Sequence, residues 1–512
     1  MRLFILGALG LAFAAGHAHA ADSSSPCAAL SQHDFSREVG AAVTIKDTVL
    51  VAAADKLPAY CDVRAVIAPS SRVAMRLPAT AWKDRLLVSG CGGLCGVIAI
   101  ERADDAHARG YVTATTDIGH DVSEGIAWEG DKAKSEDFGH RATHLTTVLA
   151  KAVAEAFYGR AQSRAYFRGC STGGRQALME ALRYPGDFDG IIIAGAPSID
   201  PAVPLDVWYR QSSRKVGDKD VLDESAFRLL RESSITACGA DDGVKDGIIG
   251  NPFACRLDPA KLLCKPGAGE KCLTPEQVGI AHKFYAGPIV NGAPLVSVAM
   301  APGAEIGIAA NMIGIGGKPA GTEATLTNFA YLTLGKQATW RDYNFDRDYK
   351  KGMVANALPD LGLDGKQLGA FTARNGKLLM YSGWIDPLVS PSVSIGFYAK
   401  QKAAFGSALP DSMRLFMMPG TAHCSGGDGA DTVDWLTALE TWVENNRSPQ
   451  EITAYKLKTQ ARVGATFPLD PDAVAMSRPV YPFPTYARYR GDGDVNAASS
   501  FTPAEGPSKL RK

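Results

Sequence analysis

The chain has 512 residues, and its 54 basic and 54 acidic residues give a formal net charge of +0 at pH 7. This balance, together with the lack of a lysine or arginine run, argues against a polyanionic partner such as nucleic acid. The length exceeds what one hydrophobic core usually holds, which predicts either a large domain with an insertion or two domains.

The first twenty residues have the features of a secretory signal peptide. The apolar run Leu3–Ala15 follows Met1 and Arg2, and the small-residue pattern Ala18-His19-Ala20 supplies a cleavage site. The run is shorter than the roughly 20 residues that cross a bilayer, and no later window stays apolar for that length. We therefore expect residues 1–20 to be removed and the mature protein to be soluble, secreted or periplasmic. An N-terminal membrane anchor is the alternative.

Strand and helix patterns alternate from about residue 85 onward. Strands are predicted at 85–89, 111–116, 164–168 and 190–194, and a helix is predicted at 142–158, where apolar residues recur at helical intervals. A strand, a helix and a second strand at this spacing form a βαβ unit. The pattern therefore predicts an α/β fold with a parallel sheet.

The alternation stops after residue 198. Residues 199–374 are rich in Gly, Asp and paired cysteines, whereas strand patterns return at 377–381 and 414–418. A helix is predicted at 432–445, and the proline-containing segment after it is typical of a tail that wraps the surface. We therefore predict a core domain formed by 21–198 and 375–512, with 199–374 inserted as a lid domain.

Ten cysteines, an even number, are expected to form disulfides in an exported chain. The sequence alone does not fix the pairing, but proximity along the chain favours four pairs: Cys27–Cys61, Cys91–Cys95, Cys238–Cys255 and Cys264–Cys272. Cys170 and Cys424 are then left over. A zinc site is disfavoured because no cluster of His and Cys has zinc-binding spacing.

The segment Gly169-Cys-Ser-Thr-Gly173 matches G-x-S-x-G, the pattern of a nucleophile elbow. In such an elbow, a strained turn between a strand and a helix lifts the serine hydroxyl above the sheet, and small flanking residues avoid crowding. An apolar strand pattern precedes the segment and a helical pattern follows it. Ser171 is therefore the candidate nucleophile; an ordinary glycine-rich turn is the alternative reading.

A serine hydroxyl needs a base to take its proton and an acid to orient that base. In α/β-hydrolases the acid and then the base follow the serine along the chain, each in a loop after a strand. Asp386 follows the predicted strand at 377–381, and His423 follows the one at 414–418. We therefore predict a Ser171, Asp386 and His423 triad in an α/β-hydrolase core with a large inserted lid domain; a surface turn at Asp386 is the alternative.

The two leftover cysteines adjoin two of these residues. Cys170 precedes Ser171, and Cys424 follows His423. If nucleophile and base touch, their neighbours can touch as well, and a disulfide between them would hold the loop of the base against the elbow. The alternative is that the two cysteines adjoin Ser171 and His423 by coincidence and form no bridge with each other.

Ester hydrolysis also needs backbone N–H groups that face the developing oxyanion. Thr172, the residue after the nucleophile, is expected to supply one of them. The glycine-rich loop 90–96 resembles the loops that supply the other, and Gly93 is the predicted donor, with Gly92 close behind.

A second motif lies within the predicted lid. The segment Asp241-Asp-Gly-Val-Lys-Asp-Gly-Ile248 spaces carboxylates and glycines as loops that bind hard cations do, which favours calcium. It is not an EF-hand, because no glutamate stands at the twelfth position of the loop. A solvated acidic turn is the alternative.

The segments around the three candidate catalytic residues, Gly169–Gln176, Trp384–Asp386 and His423–Cys424, resemble those of the tannase and feruloyl esterase family. Similarity extends to 116–120, 137–141 and 442–444. The resemblance implies an α/β-hydrolase core, a disulfide between the cysteines beside Ser and His, and a lid with structural calcium. It also implies hydrolysis of galloyl, feruloyl or, in one branch, mono(2-hydroxyethyl) terephthalate esters.

The resemblance implies a calcium site whose ligands are the side chains of Asp242 and Asp246 and the carbonyls of Val244 and Ile248. Family members usually place an aspartate where this chain has Gly239. The fifth ligand is then Asp241 or water, or the affinity for calcium is reduced.

These observations lead to the hypothesis of a secreted serine esterase acting on small-molecule esters of aromatic acids. Acyl transfer to an alcohol, or a catalytically silent protein that binds aromatic ligands, are the alternatives. Trp340, Tyr343 and Phe345 in the lid are candidates for stacking on an aromatic ring, although such clusters are more often plain core.

Overall fold

The computed structural model describes residues 25–196, 202–213, 215–216, 219–267, 271–321, 326, 334, 338–349, 368–459 and 465–507. The predicted signal peptide at 1–20 lies outside the described residues. Within them, no helix is long and apolar enough to cross a membrane.

The described residues contain seventeen strands. They are β1 Val43–Val51, β2 Tyr60–Ile67, β3 Ser71–Pro78, β4 Arg85–Ser89, β5 Val112–Thr116, β6 Arg164–Cys170, β7 Gly190–Ala194, β8 Lys215–Val216, β9 Lys219–Asp220, β10 Ile289–Val290, β11 Ala293–Pro294, β12 Lys377–Gly383, β13 Met413–Met418, β14 Ile452–Leu457, β15 Val474–Val480, β16 Thr485–Tyr489 and β17 Phe501–Glu505.

Nine of these strands form the central sheet, in the order β1-β2-β3-β5-β4-β6-β7-β12-β13. The pairs from β1 to β5 are antiparallel, and the pairs from β5 to β13 are parallel. The remaining strands form antiparallel pairs, among them β14 with β15 and β16 with β17. The parallel part confirms the predicted α/β fold.

The helices in the described residues flank this sheet or belong to the inserted segment. They are α1 Pro26–Ala29, α2 Ser36–Val39, α3 Asp104–Ala108, α4 Lys132–Glu136, α5 Ala142–Tyr158, α6 Thr172–Arg183, α7 Ala202–Ser212, α8 Glu224–Cys238, α9 Pro275–Ala286, α10 Glu305–Met312, α11 Phe345–Asp348, α12 Gly369–Ala373, α13 Pro391–Phe405 and α14 Trp435–Asn445.

Both faces of the parallel strands are covered, and β7 shows how. Ile191 and Ile193 pack into the hydrophobic cluster that contains α5, α6 and α13 residues, whereas Ile192 packs into the cluster with Leu436 and Leu439 of α14. Because successive side chains of a strand point to opposite faces, a strand buried on both sides becomes a continuous apolar run. This is why Gly190–Ala194 is readable as a strand from sequence.

Most predicted boundaries agree with the structure, and the helix predicted at 432–445 shows the reason for a difference. It begins instead at Trp435, because the Asp434 carboxylate accepts a hydrogen bond from the Thr437 backbone N–H at 3.1 Å and caps the helix. Strands β1 to β3, which add an antiparallel edge, precede the region in which the sequence pattern was assigned.

The predicted lid segment enters and leaves the core at two strands that are neighbours in the sheet. It follows β7 and precedes β12, which pair with Ile192 opposite Leu379. Its described residues build a separate hydrophobic cluster that includes Phe227, Leu230 and Phe284. The predicted boundaries between core and lid domain, after residue 198 and before residue 375, stay a prediction. The topology of the sheet is compatible with them.

Two of the three aromatic residues considered for ligand stacking belong to a buried core. Trp340 and Tyr343 are 8% and 4% exposed and pack with Val207 and Leu326, while Phe345 packs partly buried against the same cluster. The plain-core reading of these aromatics is therefore the one that the packing supports.

Candidate active site

Ser171 lies at the junction of β6 and α6. Its backbone has φ 58° and ψ −124°, a conformation that non-glycine residues rarely adopt. Crowding explains the glycines on either side: a Cβ on Gly169 would collide with the backbone of Gly173. The turn is therefore the sharp strand-to-helix turn that the G-x-S-x-G pattern predicted.

Asp386 and His423 meet in loops that follow two adjacent strands, β12 and β13. His423 Nδ1 lies 2.8 Å from Asp386 Oδ2. The other oxygen, Oδ1, accepts hydrogen bonds from the backbone N–H groups of Leu388 and Val389, each at 2.9 Å. The Asp386 side chain is fully buried. The carboxylate is thus held in one orientation and fixes the imidazole opposite it.

The structure places His423 beside the elbow through a disulfide. Cys170 and Cys424 are bonded, with their Cα atoms 6.1 Å apart. A ring nitrogen of His423 lies within 4.8 Å of the Cys170 sulfur. The Ser171 hydroxyl makes no hydrogen bond with His423 in this structure, and such contacts often tighten only when substrate binds. The serine–histidine contact therefore stays a prediction.

All five predicted disulfide pairs are present in the structure. Besides Cys170–Cys424 they are Cys27–Cys61, Cys91–Cys95, Cys238–Cys255 and Cys264–Cys272. The pairing that proximity favoured was right because each of those four bridges spans 34 residues or fewer.

The loop after β4 approaches the start of α6, where the oxyanion hole was predicted. The Thr172 hydroxyl donates a hydrogen bond to the Gly93 carbonyl oxygen at 2.5 Å. Among the described residues, none accepts a hydrogen bond from the backbone N–H of Thr172 or of Gly93. Two free N–H groups next to the elbow suit a developing oxyanion, so both assignments remain proposals that the geometry favours.

Two residues that the sequence analysis missed hold this arrangement. Gln176 of α6 accepts a hydrogen bond from the Cys91 backbone N–H at 3.0 Å and so ties the loop 90–96 to α6. Gly195, after β7, lies against the acid–base pair: a Cβ there would sit 3.3 Å from His423 Cε1 and 3.4 Å from Asp386 Oδ2. The apolar run that ends in Ala194-Gly195-Ala196 is the only sequence signal for Gly195.

The acidic loop of the lid combines a buried and a half-exposed carboxylate. Asp242 is 7% exposed, and burial raises the pKa of its carboxyl to about 6. Asp246 is paired with Arg478 at 3.0 Å. The carboxylates of Asp241, Asp242 and Asp246 do not all come within 4.8 Å of one another.

Carboxylate and backbone carbonyl oxygens are the donors that a hard cation prefers, and Asp242 supplies a buried carboxylate in this loop. The assignment of Asp242, Val244, Asp246 and Ile248 as calcium ligands stays a prediction. Asp241 is exposed and its assignment as the fifth ligand stays a prediction.

A family model described as tannase and feruloyl esterase matches residues 59–504. The chain belongs to this family. An uncharacterized esterase of Xanthomonas campestris pv. campestris is 31% identical, with 88% of this chain and 86% of that protein covered. The mono(2-hydroxyethyl) terephthalate hydrolase of Piscinibacter sakaiensis is 29% identical, with 89% and 86% covered.

The fold agrees with that of a solved family member. The structure of feruloyl esterase B from Aspergillus oryzae matches with a TM-score of 0.75 and 24% identity over 90% of this chain and 96% of that chain. As a member of the tannase and feruloyl esterase family with an α/β-hydrolase fold, the chain is a carboxylic ester hydrolase. The predicted family, fold class and enzyme class are thereby confirmed.

Proposed function

We propose that this enzyme hydrolyses esters of aromatic carboxylic acids, with Ser171, His423 and Asp386 as its catalytic residues. The observation that carries the proposal is the hydrogen-bonded His423–Asp386 pair, which the Cys170–Cys424 disulfide attaches to the turn of Ser171. An α/β-hydrolase fold does not by itself require a disulfide between the loop of the histidine and the turn of the serine. The arrangement supplies a nucleophile, a base and an acid at one edge of the sheet.

The proposed reaction proceeds in two steps. His423 takes the hydroxyl proton of Ser171 as the oxygen attacks the ester carbonyl, and then gives that proton to the departing alcohol. Water, deprotonated by His423, next attacks the acyl-serine carbonyl, which releases the aromatic acid and returns the proton to Ser171. Asp386 keeps the imidazole oriented and stabilises its charged form. The N–H groups of Thr172 and Gly93 face the oxyanion in both steps.

The test is hydrolysis of methyl ferulate, methyl gallate and mono(2-hydroxyethyl) terephthalate by the purified enzyme and by Ser171→Ala. We expect activity on at least one of them and a loss of at least about 10⁴-fold in kcat in the variant. The control is Ser31→Ala, which changes an exposed serine that is distant from Ser171 in the sequence. This variant should keep full activity. Hydrolysis by Ser171→Ala at the rate of the unsubstituted enzyme would contradict the assignment.

Mono(2-hydroxyethyl) terephthalate is a second candidate substrate because a hydrolase of that name is 29% identical over most of both chains. A rate on this ester that exceeds those on methyl ferulate and methyl gallate would favour it.

We also propose that the enzyme is exported and carries a structural calcium ion in the loop Asp241–Ile248. Five disulfides support export, because such bonds persist in oxidising compartments. Asp242 and Asp246 would hold the cation with the carbonyls of Val244 and Ile248, and the bound ion would order this loop rather than take part in the chemistry.

A further inference from the structure

Two polar side chains of helix α7 are buried, and one of them has no hydrogen-bond partner among the described residues. Asp206 is 5% exposed and Tyr209 is 2% exposed. The Tyr209 hydroxyl has no hydrogen-bond partner among the described residues, and Asp206 lies three residues before it on the same helix. Buried polar groups are nearly always hydrogen-bonded, and one left alone costs about 1–3 kcal/mol. This pair therefore calls for an explanation.

The two side chains share one face of the helix, since residues three positions apart on an α-helix are neighbours. Their electrostatic coupling agrees with this placement: burial raises the pKa of Tyr209, and the charge of Asp206 raises it further. Asp206 and Tyr209 are therefore one polar site rather than two separate ones.

The site lies at the junction between the lid and the loop that carries Asp386. Arg210 of α7 donates a hydrogen bond to the carbonyl oxygen of Met312, which ties α7 to α10. The side-chain amide of Asn311, also on α10, donates to the Pro387 carbonyl oxygen at 3.2 Å. Ile385 packs against the lid cluster that contains Tyr209. Tyr209 thus belongs to the cluster against which Ile385, the residue before Asp386, packs.

The electrostatics of the site select the kind of group that it can bind. Burial raises the pKa of Asp206 well above its usual range, and the negative charge of Asp386 raises it further. A carboxyl group accepts hydrogen bonds, and a phenol both donates and accepts them. An anionic group would be repelled by Asp386, whereas a neutral hydroxyl matches both side chains.

We propose that Asp206 and Tyr209 form a subsite that binds a hydroxyl group of the ester substrate. The hydroxyl accepts a hydrogen bond from one side chain and donates to the other. This hydroxyl is either a phenol on the acid part of the ester or a hydroxyl on its alcohol part. Both can accept one hydrogen bond and donate another. The inference rests on the proposed function, because it assumes an ester substrate near Asp386.

The experiment measures kcat/KM for two pairs of esters that differ in one hydroxyl. Methyl 4-hydroxycinnamate against methyl cinnamate tests a hydroxyl on the acid part, and 2-hydroxyethyl cinnamate against propyl cinnamate tests one on the alcohol part. We expect the enzyme to favour the hydroxylated ester by about tenfold or more in one pair, as sites built to bind a hydroxyl do.

Three variants test whether this preference depends on the pair. Asp206→Leu and Tyr209→Phe should reduce the preference to within about twofold, whereas Asp206→Asn, which keeps a donor and an acceptor, should retain part of it. The matched control is Glu305→Gln. Glu305 is another fully buried carboxylate of the lid, but it accepts hydrogen bonds from Tyr285 and from the Gly303 backbone, so its variant should keep the preference of the unsubstituted enzyme.

The outcomes separate this inference from the proposed function. Hydrolysis of all four esters with the hydroxyl preference unchanged in Asp206→Leu and Tyr209→Phe overturns the subsite. An equal loss on all four esters in these variants also overturns it, since that pattern indicates a purely structural role. No hydrolysis of any ester by the unsubstituted enzyme would instead refute the proposed function.

Discussion

At the scale of single residues, the candidate site depends on side chains and glycines that leave little free space. Ser171 adopts φ 58°, and Gly169 and Gly173 touch across its turn. Such strained conformations persist only where the surroundings enforce them. Here the Ser171 backbone N–H donates to the Ala194 carbonyl oxygen at 2.9 Å, and the Arg175 N–H donates to the carbonyl oxygen of Ser171 at 3.0 Å. The backbone of Ser171, the proposed nucleophile, is thus held on both sides.

Gly195 offers a test of how closely the acid–base pair must be positioned. In Gly195→Ala the new methyl group would press on His423 Cε1, 3.3 Å away, from a backbone with φ +45°. Because a displacement of about 1 Å can lower a rate about 10²-fold, we expect kcat to fall by about 10- to 100-fold with a smaller change in KM.

The control for Gly195→Ala is Gly159→Ala. Gly159 also has a positive φ, +71°, but nothing lies within 4 Å of a Cβ built there. This variant should lose stability and keep kcat. Equal kcat values for the two variants would show that the contact with His423 is unimportant.

Glu180 of α6 is predicted to make stability depend on pH. Its side chain is fully buried, and burial, followed by the charge of Asp187, raises the pKa of the carboxyl well above its ordinary value of 4.5. The folded state therefore favours the protonated form. This contribution is complete below pH 4.5 and is lost as the pH rises through the folded-state pKa.

Glu180→Gln cannot ionise, so its free energy of unfolding relative to the unsubstituted enzyme should rise between pH 4.5 and pH 8. Urea unfolding at both pH values measures this difference. Glu155→Gln, at an exposed position of α5, should show no such change. The same difference at both pH values for Glu180→Gln would mean that Glu180 ionises in the folded enzyme as it does in the unfolded chain.

At the scale of elements, the candidate site lies where four strand ends meet. The elbow follows β6, Gly195 follows β7, and the acid and base follow β12 and β13, which are consecutive neighbours in the sheet. Parallel strands bring their carboxyl ends to one edge, where loops far apart in sequence come together. The Cys170–Cys424 disulfide then joins two of these loops across 254 residues of sequence.

Removing this disulfide should affect both activity and stability. We expect Cys170→Ala/Cys424→Ala to lower the free energy of unfolding by about 2–4 kcal/mol and to reduce kcat, because the loop of His423 is no longer held at the elbow. Denaturant unfolding and ester hydrolysis measure the two effects.

Cys264→Ala/Cys272→Ala is the comparison for the loss of the Cys170–Cys424 bridge. It removes a bridge of the lid that spans only 8 residues, and it should cost less stability and leave kcat unchanged. If Cys170→Ala/Cys424→Ala kept full activity and the denaturant midpoint of the unsubstituted enzyme, the disulfide would have no positioning role.

At the scale of the whole molecule, the acidic loop of the lid joins parts of the chain that are distant in sequence. Arg478 of β15 pairs with Asp246, and the Tyr489 backbone N–H donates to the Asp242 carbonyl oxygen at 2.7 Å. The C-terminal strands therefore rest on this loop as well as on the core, where the Phe483 N–H donates to the Leu415 carbonyl oxygen. A cation in the loop would stabilise this junction.

Calcium is predicted to raise stability through this loop. After treatment with EGTA, added Ca²⁺ should increase the free energy of unfolding, by about 2.7 kcal/mol at 100 times the Kd. Asp242→Asn should abolish the increase, whereas Asp241→Asn should reduce it only slightly, because Asp241 is exposed. Thermal unfolding with and without Ca²⁺ measures both. An unchanged response in Asp242→Asn would contradict the ligand assignment.

The sequence by itself determined those features that depend on local chemistry. The elbow was readable because only small residues fit around Ser171, and β7 was readable because a strand buried on both faces has only apolar residues. Asp386 and His423 were predicted to pair because acid and base follow strands in a fixed order in α/β-hydrolases, and the structure brings the two side chains together. Proximity favoured four of the disulfide pairs because those bridges close short loops.

Only the tertiary structure decided which groups from distant segments share one environment. Nothing in the sequence near Gly195 marks it as a neighbour of His423, and nothing near Asp206 and Tyr209 marks them as buried. Sequence patterns report the period of a helix or strand, which is set by nearest neighbours along the chain. Burial, hydrogen-bond satisfaction and the pKa of a carboxyl group depend instead on what the fold packs against it.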